Sequence, residues 1–288
     1  MKKFSIPGFF SKFTIIQSFI DYYYNHRDLF IEDRCIDSCY DSYGTLLWRG
    51  GRIPHIENPN LNMLDILDFF NQYPSIELRH VFSNCLLDEN MTHDYFCNKF
   101  TKEVIRLQDK VIINNKYLIE HFKKNYPNIP IIYSTTMDIT DIEQVNQLSE
   151  QNIYVLNYNY NNDNTYLEQL KYPQNIEILC GEPCIDNCPY RAQHYISISK
   201  GALGIADDEN DINECPFGSY NLTPIQIMKR KNAITNERID ELYNIGFQYF
   251  KISGRTLPPP SWLELILYYL AKPEYIDQIR QELLLKWW

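Results

Sequence analysis

The chain has no apolar run of 18 residues, so no membrane-spanning helix is expected. It has no excess of basic charge either. With 27 Lys and Arg against 37 Asp and Glu, the formal net charge is −10. That lacks the electrostatic footprint of a general nucleic-acid binder and gives no attraction to anionic membranes, although a local basic patch could still grip one RNA loop. The N-terminal stretch Met1–Thr14 carries Lys2, Lys3 and Lys12, and Pro7 and Gly8 break its short apolar runs. It has neither the unbroken apolar core nor the small-residue cleavage site of a secretion signal, and a cytoplasmic location is expected. No Gly-rich turn follows the first expected strand, which removes the dinucleotide-binding fingerprint. No linker or short internal repeat divides residues 1–288, so one domain is expected. The sequence also lacks any Cys-x2-Cys pair, the commonest sign of a structural zinc site.

What is present begins with a sizeable apolar fraction, 44%, enough to build a large core. The 23 Tyr, 15 Phe and many Asn, Ile and Lys read first as base composition of the coding sequence. Short β-rich runs alternate with helical patterns. Strands are predicted at Arg34–Ser38, Glu77–Ser83, Val111–Asn114, Pro130–Ser134, Tyr154–Asn157, Glu177–Leu179 and Tyr249–Ile252, with an eighth near Tyr195–Ser199. Helices are predicted between them, from Ile15–Tyr24 to Pro260–Leu270. Runs such as Val111-Ile112-Ile113 are continuously apolar, as strands buried on both faces must be. Seven or eight strand–helix units predict an α/β fold, a single (β/α)8-type TIM barrel with a cysteine-containing insertion after a late strand. A doubly wound open sheet is the alternative. The stretch Lys200–Tyr220, with the acidic run Asp207–Glu209, is the longest poorly periodic segment and reads as a functional or disordered loop.

The chain has eight cysteines, at 35, 39, 85, 97, 180, 184, 188 and 215. In a reducing compartment they are thiols available to metals or chemistry. The run Cys180-Gly-Glu-Pro-Cys184-Ile-Asp-Asn-Cys188-Pro directly follows a predicted strand, on the face where parallel barrels place active sites. A second Cys-Pro pair stands at Cys215-Pro216. Proline beside a ligand cysteine removes a backbone donor and stiffens the chain. Soft sulfur ligands suit iron–sulfur or zinc, and the spacing favours an iron–sulfur cluster, 4Fe–4S first, held in the region 180–220. The spacing is not the Cys-x3-Cys-x2-Cys of radical-SAM proteins. Cys184, Cys188 and Cys215 are the central candidates. Cys180 completes the set, or points into the barrel and leaves the place to Cys35 or Cys39. A three-cysteine cluster with an open, Lewis-acidic iron is a further alternative. Cys85 and Cys97 read as core residues.

Other residues converge on the same end. Arg49-Gly50-Gly51-Arg52 has the composition of an anion-binding loop. Lys251-Ile-Ser253-Gly254-Arg255 closes the last strand, with Lys251 and Ser253 on one face. Asn84, Asn114, Ser134, Thr135, Thr136 and Asn157 end other strands and suggest a polar pocket. Glu182 is a candidate base or helix cap. His194 is a candidate ligand, proton donor or packing residue.

The cysteine segment, Tyr43-Gly44…Gly51-Arg52 and Phe250-Lys251-Ile-Ser253-Gly254-Arg255 together resemble the barrel proteins called collagenase-like peptidases, peptidase family U-thirty-two. The resemblance covers most of the chain. It is specific at the cysteine segment and the last strand, and the closer cysteine gaps make this chain a divergent branch. It implies an iron–sulfur enzyme working without oxygen, as family members implicated in hydroxylating ubiquinone precursors or RNA bases do. The expected substrate is then small or RNA-attached, with Arg52, Lys251 and Arg255 holding an anionic group. No nucleophile–base pair supports peptidase chemistry. Two other readings stand beside it. One is a non-catalytic, metal-stabilised barrel that docks on a homologous subunit through its acidic surface or its Trp287-Trp288 tail. The other is a zinc hydrolase using Glu182 or His194 as base.

Overall fold

A computed structural model describes residues 1–52, 61–206, 208, 211–212, 215–218 and 222–287, with the side chain of Met63 left aside. Asp207, Glu209 and Trp288, named above, lie outside the described residues. Eight parallel strands close on themselves in sequence order. They are β1 (Lys2–Pro7), β2 (Arg34–Asp41), β3 (Glu77–Phe82), β4 (Lys110–Ile113), β5 (Ile131–Tyr133), β6 (Ile153–Val155), β7 (Ile176–Cys180) and β8 (Tyr249–Ile252). Pairing of Lys3 with Tyr249 and of Ser5 with Lys251 seals the barrel. A register shift between Phe4 and Ser5 lets Asp37 bulge from β2.

The outer layer holds α1 (Phe13–Asn25), α2 (Met63–Gln72), α3 (Tyr95–Val104), α4 (Lys116–Asn125), α5 (Ile142–Ser149), α6 (Asn164–Leu167), α7 (Arg191–Leu203), α8 (Pro224–Met228), α9 (Asn236–Asn244), α10 (Pro259–Leu270) and α11 (Ile276–Trp287). Side chains at the helix starts explain where several begin. Asn62 and Asp65 close a reciprocal cap on α2, and Asp94, Asn115, Asp141 and Thr235 accept first-turn N–H groups of α3, α4, α5 and α9.

The α/β barrel class is as expected from the alternation, but two elements differ. The eighth strand is β1 at the N-terminus, and Tyr195–Ser199 lies inside α7. Lys2 and Lys3 disguise β1. Lys2 is buried because Asp33 and Asp240 neutralise it, and the Lys3 ammonium lies over the Tyr249 ring, 5.0 Å from its centroid. Ile196 and Ile198 alternate with serines and imitate a strand. The apolar C-terminal tail packs back on its own chain: Leu283 is fully buried and Trp287 lies 6.4 Å from Trp262, ring to ring.

The barrel interior is layered. At the N-terminal end Arg79 binds Glu77, Asp37 and Glu177, and Lys110 binds Glu77. Above this charged plug lies a thin apolar layer of Val81, Ile112, Ile132, Val155 and Leu179, joined by Tyr40 and Cys184. The C-terminal mouth opens beyond it.

Candidate functional site

Two adjoining cavities occupy the C-terminal end. The mouth of the barrel is lined by Tyr40, Ser83, Ser134, Thr135, Thr136, Glu182, Lys251, Ser253 and Arg255, with Arg52 and Tyr195 at its edge. A cleft beside it is lined by Cys184, Cys188, Cys215, Arg191 and His194, again with Arg52 and Tyr195. The shared arginine and tyrosine are the partition between the two.

The segment Gly50–Arg52 reaches this partition because its glycines let the chain press down. A Cβ on Gly50 would meet the carbonyl of Ser83 at 2.2 Å, and Gly51 takes φ +68° with the Arg255 guanidinium against it. Arg52 then forks onto the Glu182 carboxylate, and its Nη2 lies 2.9 Å from Cys184 Sγ. Burial would raise the pKa of Glu182. The Arg52 charge, aided by Arg191 and by the Cys184 N–H that Glu182 accepts at 3.0 Å, instead holds it down at about 2. A carboxylate so tightly claimed is a poor proton acceptor, and in this arrangement Glu182 fixes Arg52 and the turn to Cys184.

Burial raises the Cys184 thiol to about 11, with Arg52 pulling the other way. Without a metal, Cys184 is a thiol. Burial, Arg52 and Arg191 lower the pKa of His194, so its neutral imidazole prevails at pH 7. Arg191 begins α7. It stacks between Tyr158 at 4.4 Å and Tyr195 at 5.3 Å, and donates to Thr135 Oγ1. Its Nε and Nη1 are buried with no hydrogen-bond partner among the described residues.

The eight thiols divide by location. Cys184, Cys188 and Cys215 share the cleft. Cys180 does not join them. It ends β7 facing outward into the helix layer, fully buried in the outer core beside Tyr269, where burial drives its pKa far up. Its neighbours Glu177 and Leu179 take the inward face, as strand alternation requires. Cys39 likewise faces the outer core, and Cys35 sits at the start of β2, at the opposite end of the barrel. The expected fourth cysteine is thus absent from the cleft among the described residues. The donors fit a cluster in kind, three soft sulfurs with cationic N–H groups around them. They are not gathered, however: no three His, Cys, Asp or Glu side chains among the described residues stand as a set that could hold a metal ion. Cys97 is a core residue as expected, while Cys85 is half-buried, its Sγ 3.2 Å from Ser199 Oγ.

The other expected binders divide too. Ser134, Ser253, Lys251 and Arg255 line the mouth. Arg255 is engaged there by Ser42 Oγ at 2.9 Å and Asp41 at 3.6 Å, so it clamps the rim. Asn114 donates to Thr136, and Asn157 donates to Asp138 while capping the next turn; neither lines the mouth. Arg49 is half-buried and lines neither cavity. Four residues at the site were not singled out from sequence: Tyr40, Glu177, Arg191 and Tyr195. A glutamate inside the apolar run Ile-Glu-Ile-Leu-Cys was the available signal for Glu177. The Tyr40 position needs the β2 register.

Lys251 is the least conventional group. It is 7% exposed, and its Nζ lies 3.9 Å from the Tyr40 ring centroid and 3.7 Å from Glu177 Oε2. Burial lowers its pKa to about 7; Glu177 resists that, while Arg79 and Arg255 add to it.

No protein-family model matches the chain, and no curated protein matches it. No helix among the described residues is long and apolar enough to cross a membrane.

Proposed function

We propose that the chain is an iron–sulfur oxidoreductase, with a cluster carried in the cleft beside the barrel mouth and a small or RNA-attached substrate taken in the mouth. The observation that carries this reading is that Cys184, Cys188 and Cys215 line one cleft, which shares Arg52 and Tyr195 with the mouth. Cys184 and Cys188 come from the turn after β7 and Cys215 from a loop 27 residues further on. Their place on one cleft is not a consequence of sequence proximity alone.

The three cysteines would hold the cluster, 4Fe–4S being the form that three thiolates and one other position suit, with His194 or an exchangeable group at the fourth iron. A bound cluster supplies electron transfer and, at an open iron, a Lewis acid. The protein's own part is electrostatic. Arg52 and Arg191 bring two cations to a cleft that three thiolates would make strongly negative, and hydrogen bonds to sulfur raise the potential of such a centre. Because Cys184 is protonated when free, capture releases its proton, and loading rises with pH. The sulfurs must also draw closer than they stand.

Purification without oxygen, followed by iron and sulfide analysis and a visible spectrum, tests the reading. Brown protein with bound iron and sulfide is expected, lost on Cys184→Ser, Cys188→Ser or Cys215→Ser and retained on Cys180→Ala. A colourless, iron-free protein that binds zinc stoichiometrically overturns it.

A further inference from the structure

The barrel mouth contains a group that electron transfer does not require. Lys251 projects from β8 into the apolar layer, level with its paired neighbour Leu179, and borders the cavity. Three carboxylates lie below it, Asp37, Glu77 and Glu177, and these already face Arg79, Lys110 and Lys3. Lys251 is the fourth cation of that set. Its closest carboxylate oxygen, Glu177 Oε2, accepts no hydrogen bond among the described residues and stops 3.7 Å short. The ion pair between this amine and Glu177 is therefore a long one, with no close hydrogen bond holding the amine to it. Ser83 Oγ, 3% exposed as a residue, also faces this cavity region without a partner among the described residues.

We propose that Lys251 is an imine-forming nucleophile for a short hydroxylated ketone or aldehyde bound in the barrel mouth. The Nζ lone pair attacks the carbonyl carbon and a C–N bond forms. The carbonyl oxygen then leaves as water with the two amine protons, and no oxidant or reductant is consumed. A proton taken up at the imine nitrogen leaves a cation over the Tyr40 ring face and beside Glu177, the two groups placed to stabilise it. Ser83, Ser134 and Ser253 offer hydroxyls to a polyhydroxylated chain. The enclosed part of the cavity, about 70 Å³, has room for a few carbon atoms. Desolvation of the amine is what makes it reactive at neutral pH, since an exposed lysine is almost wholly protonated there.

This inference does not rest on what the cysteine cleft holds, and its test does not read metal. The full-length protein is incubated at pH 7 with dihydroxyacetone or glycolaldehyde and sodium cyanoborohydride, digested, and mapped by mass spectrometry. About half of an amine titrating near 7 is unprotonated at pH 7, against roughly one in 2,500 for an ordinary lysine. The expected result is an adduct on the Lys251 peptide at least about tenfold above that on any other lysine, saturating with probe concentration. Lys251→Arg should abolish that adduct, with circular dichroism reporting its fold, and Tyr40→Leu should slow it. Adducts spread evenly over exposed lysines, or none on Lys251 in folded wild-type protein, overturn the proposal. The wild-type map decides even if a variant fails to fold.

Discussion

The unusual position of Lys251 can be weighed by removing its charge. An amine whose pKa falls from 10.5 to about 7 on folding costs stability wherever the unfolded chain holds a proton that the folded one has shed or holds at a penalty. Between about pH 7 and 10.5 the unfolded state binds more protons, so this group makes stability rise with pH across that window. Integrating the linkage relation for those two pKa values gives a gain of about 3 kcal/mol from pH 7 to pH 9.5. The groups around the amine are Tyr40 on β2, Arg79 on β3, Glu177 on β7 and Arg255 beyond β8, so Lys251→Met leaves their charges intact while deleting this titration. At pH 7 the variant should be the more stable, by up to about 4 kcal/mol before packing differences are subtracted. Its advantage should shrink to roughly 1 kcal/mol at pH 9.5. Urea unfolding followed by tryptophan fluorescence, at several pH values for both proteins, measures the difference curve. Parallel curves, or a variant less stable at pH 7 than at pH 9.5 relative to wild type, would refute a desolvated Lys251.

Arg79→Met strips the common partner from Glu77, Asp37 and Glu177 and should cost about 3–5 kcal/mol, read as a drop in the urea midpoint. Glu182→Gln removes a carboxylate held at about 2 in the folded state against an ordinary 4.5. The wild type's stability from this group is complete above 4.5 and disappears as pH falls toward 2, so the variant should lose up to about 3 kcal/mol at neutral pH and show a flatter acid unfolding limb. An unchanged acid limb would show that Arg52 does not hold Glu182 in solution. Gly50→Ala places a methyl group 2.2 Å from the Ser83 carbonyl carbon and oxygen, so the Gly50–Arg52 segment must lift. Faster amide exchange around residues 48–52 and easier alkylation of Cys184 are the expected signs.

The barrel was legible because its strands alternate with helices and several are apolar throughout, a pattern that only burial on both faces explains. β1 was hidden for a physical reason. Its lysines are neutralised by Asp33, Asp240 and Asp37, residues distant in sequence, so local composition gave no sign that they could be buried. The cysteine spacing located the cleft but could not sort the thiols. Whether Cys180 faces the mouth or the helices depends on the strand's phase, and a one-residue change of phase would exchange it with Leu179. The basic residues were read as one anion site. In the folded chain Arg255 is spent on Asp41 and Ser42, and Arg52 on Glu182, pairings that only closure of the barrel creates.

What remains after those pairings is informative. At this end of the barrel two buried cations are incompletely matched by the contacts among the described residues. Arg191 keeps two buried nitrogens without hydrogen-bond partners among the described residues, and Lys251 stands off from the one carboxylate in reach. Desolvating charge without full compensation is costly, and folded chains keep such groups where a ligand or a reaction uses them. The two cations do not share a cavity: Arg191 borders the cysteine cleft and Lys251 the barrel mouth. An anionic centre in the first would complete Arg191, and a carbonyl compound in the second would engage Lys251. Arg52 touches both cavities through one guanidinium that holds Glu182 and reaches Cys184. A change of charge at Cys184 is therefore felt at the wall of the mouth through a single side chain, and occupancy of either cavity should alter the other's affinity through Arg52.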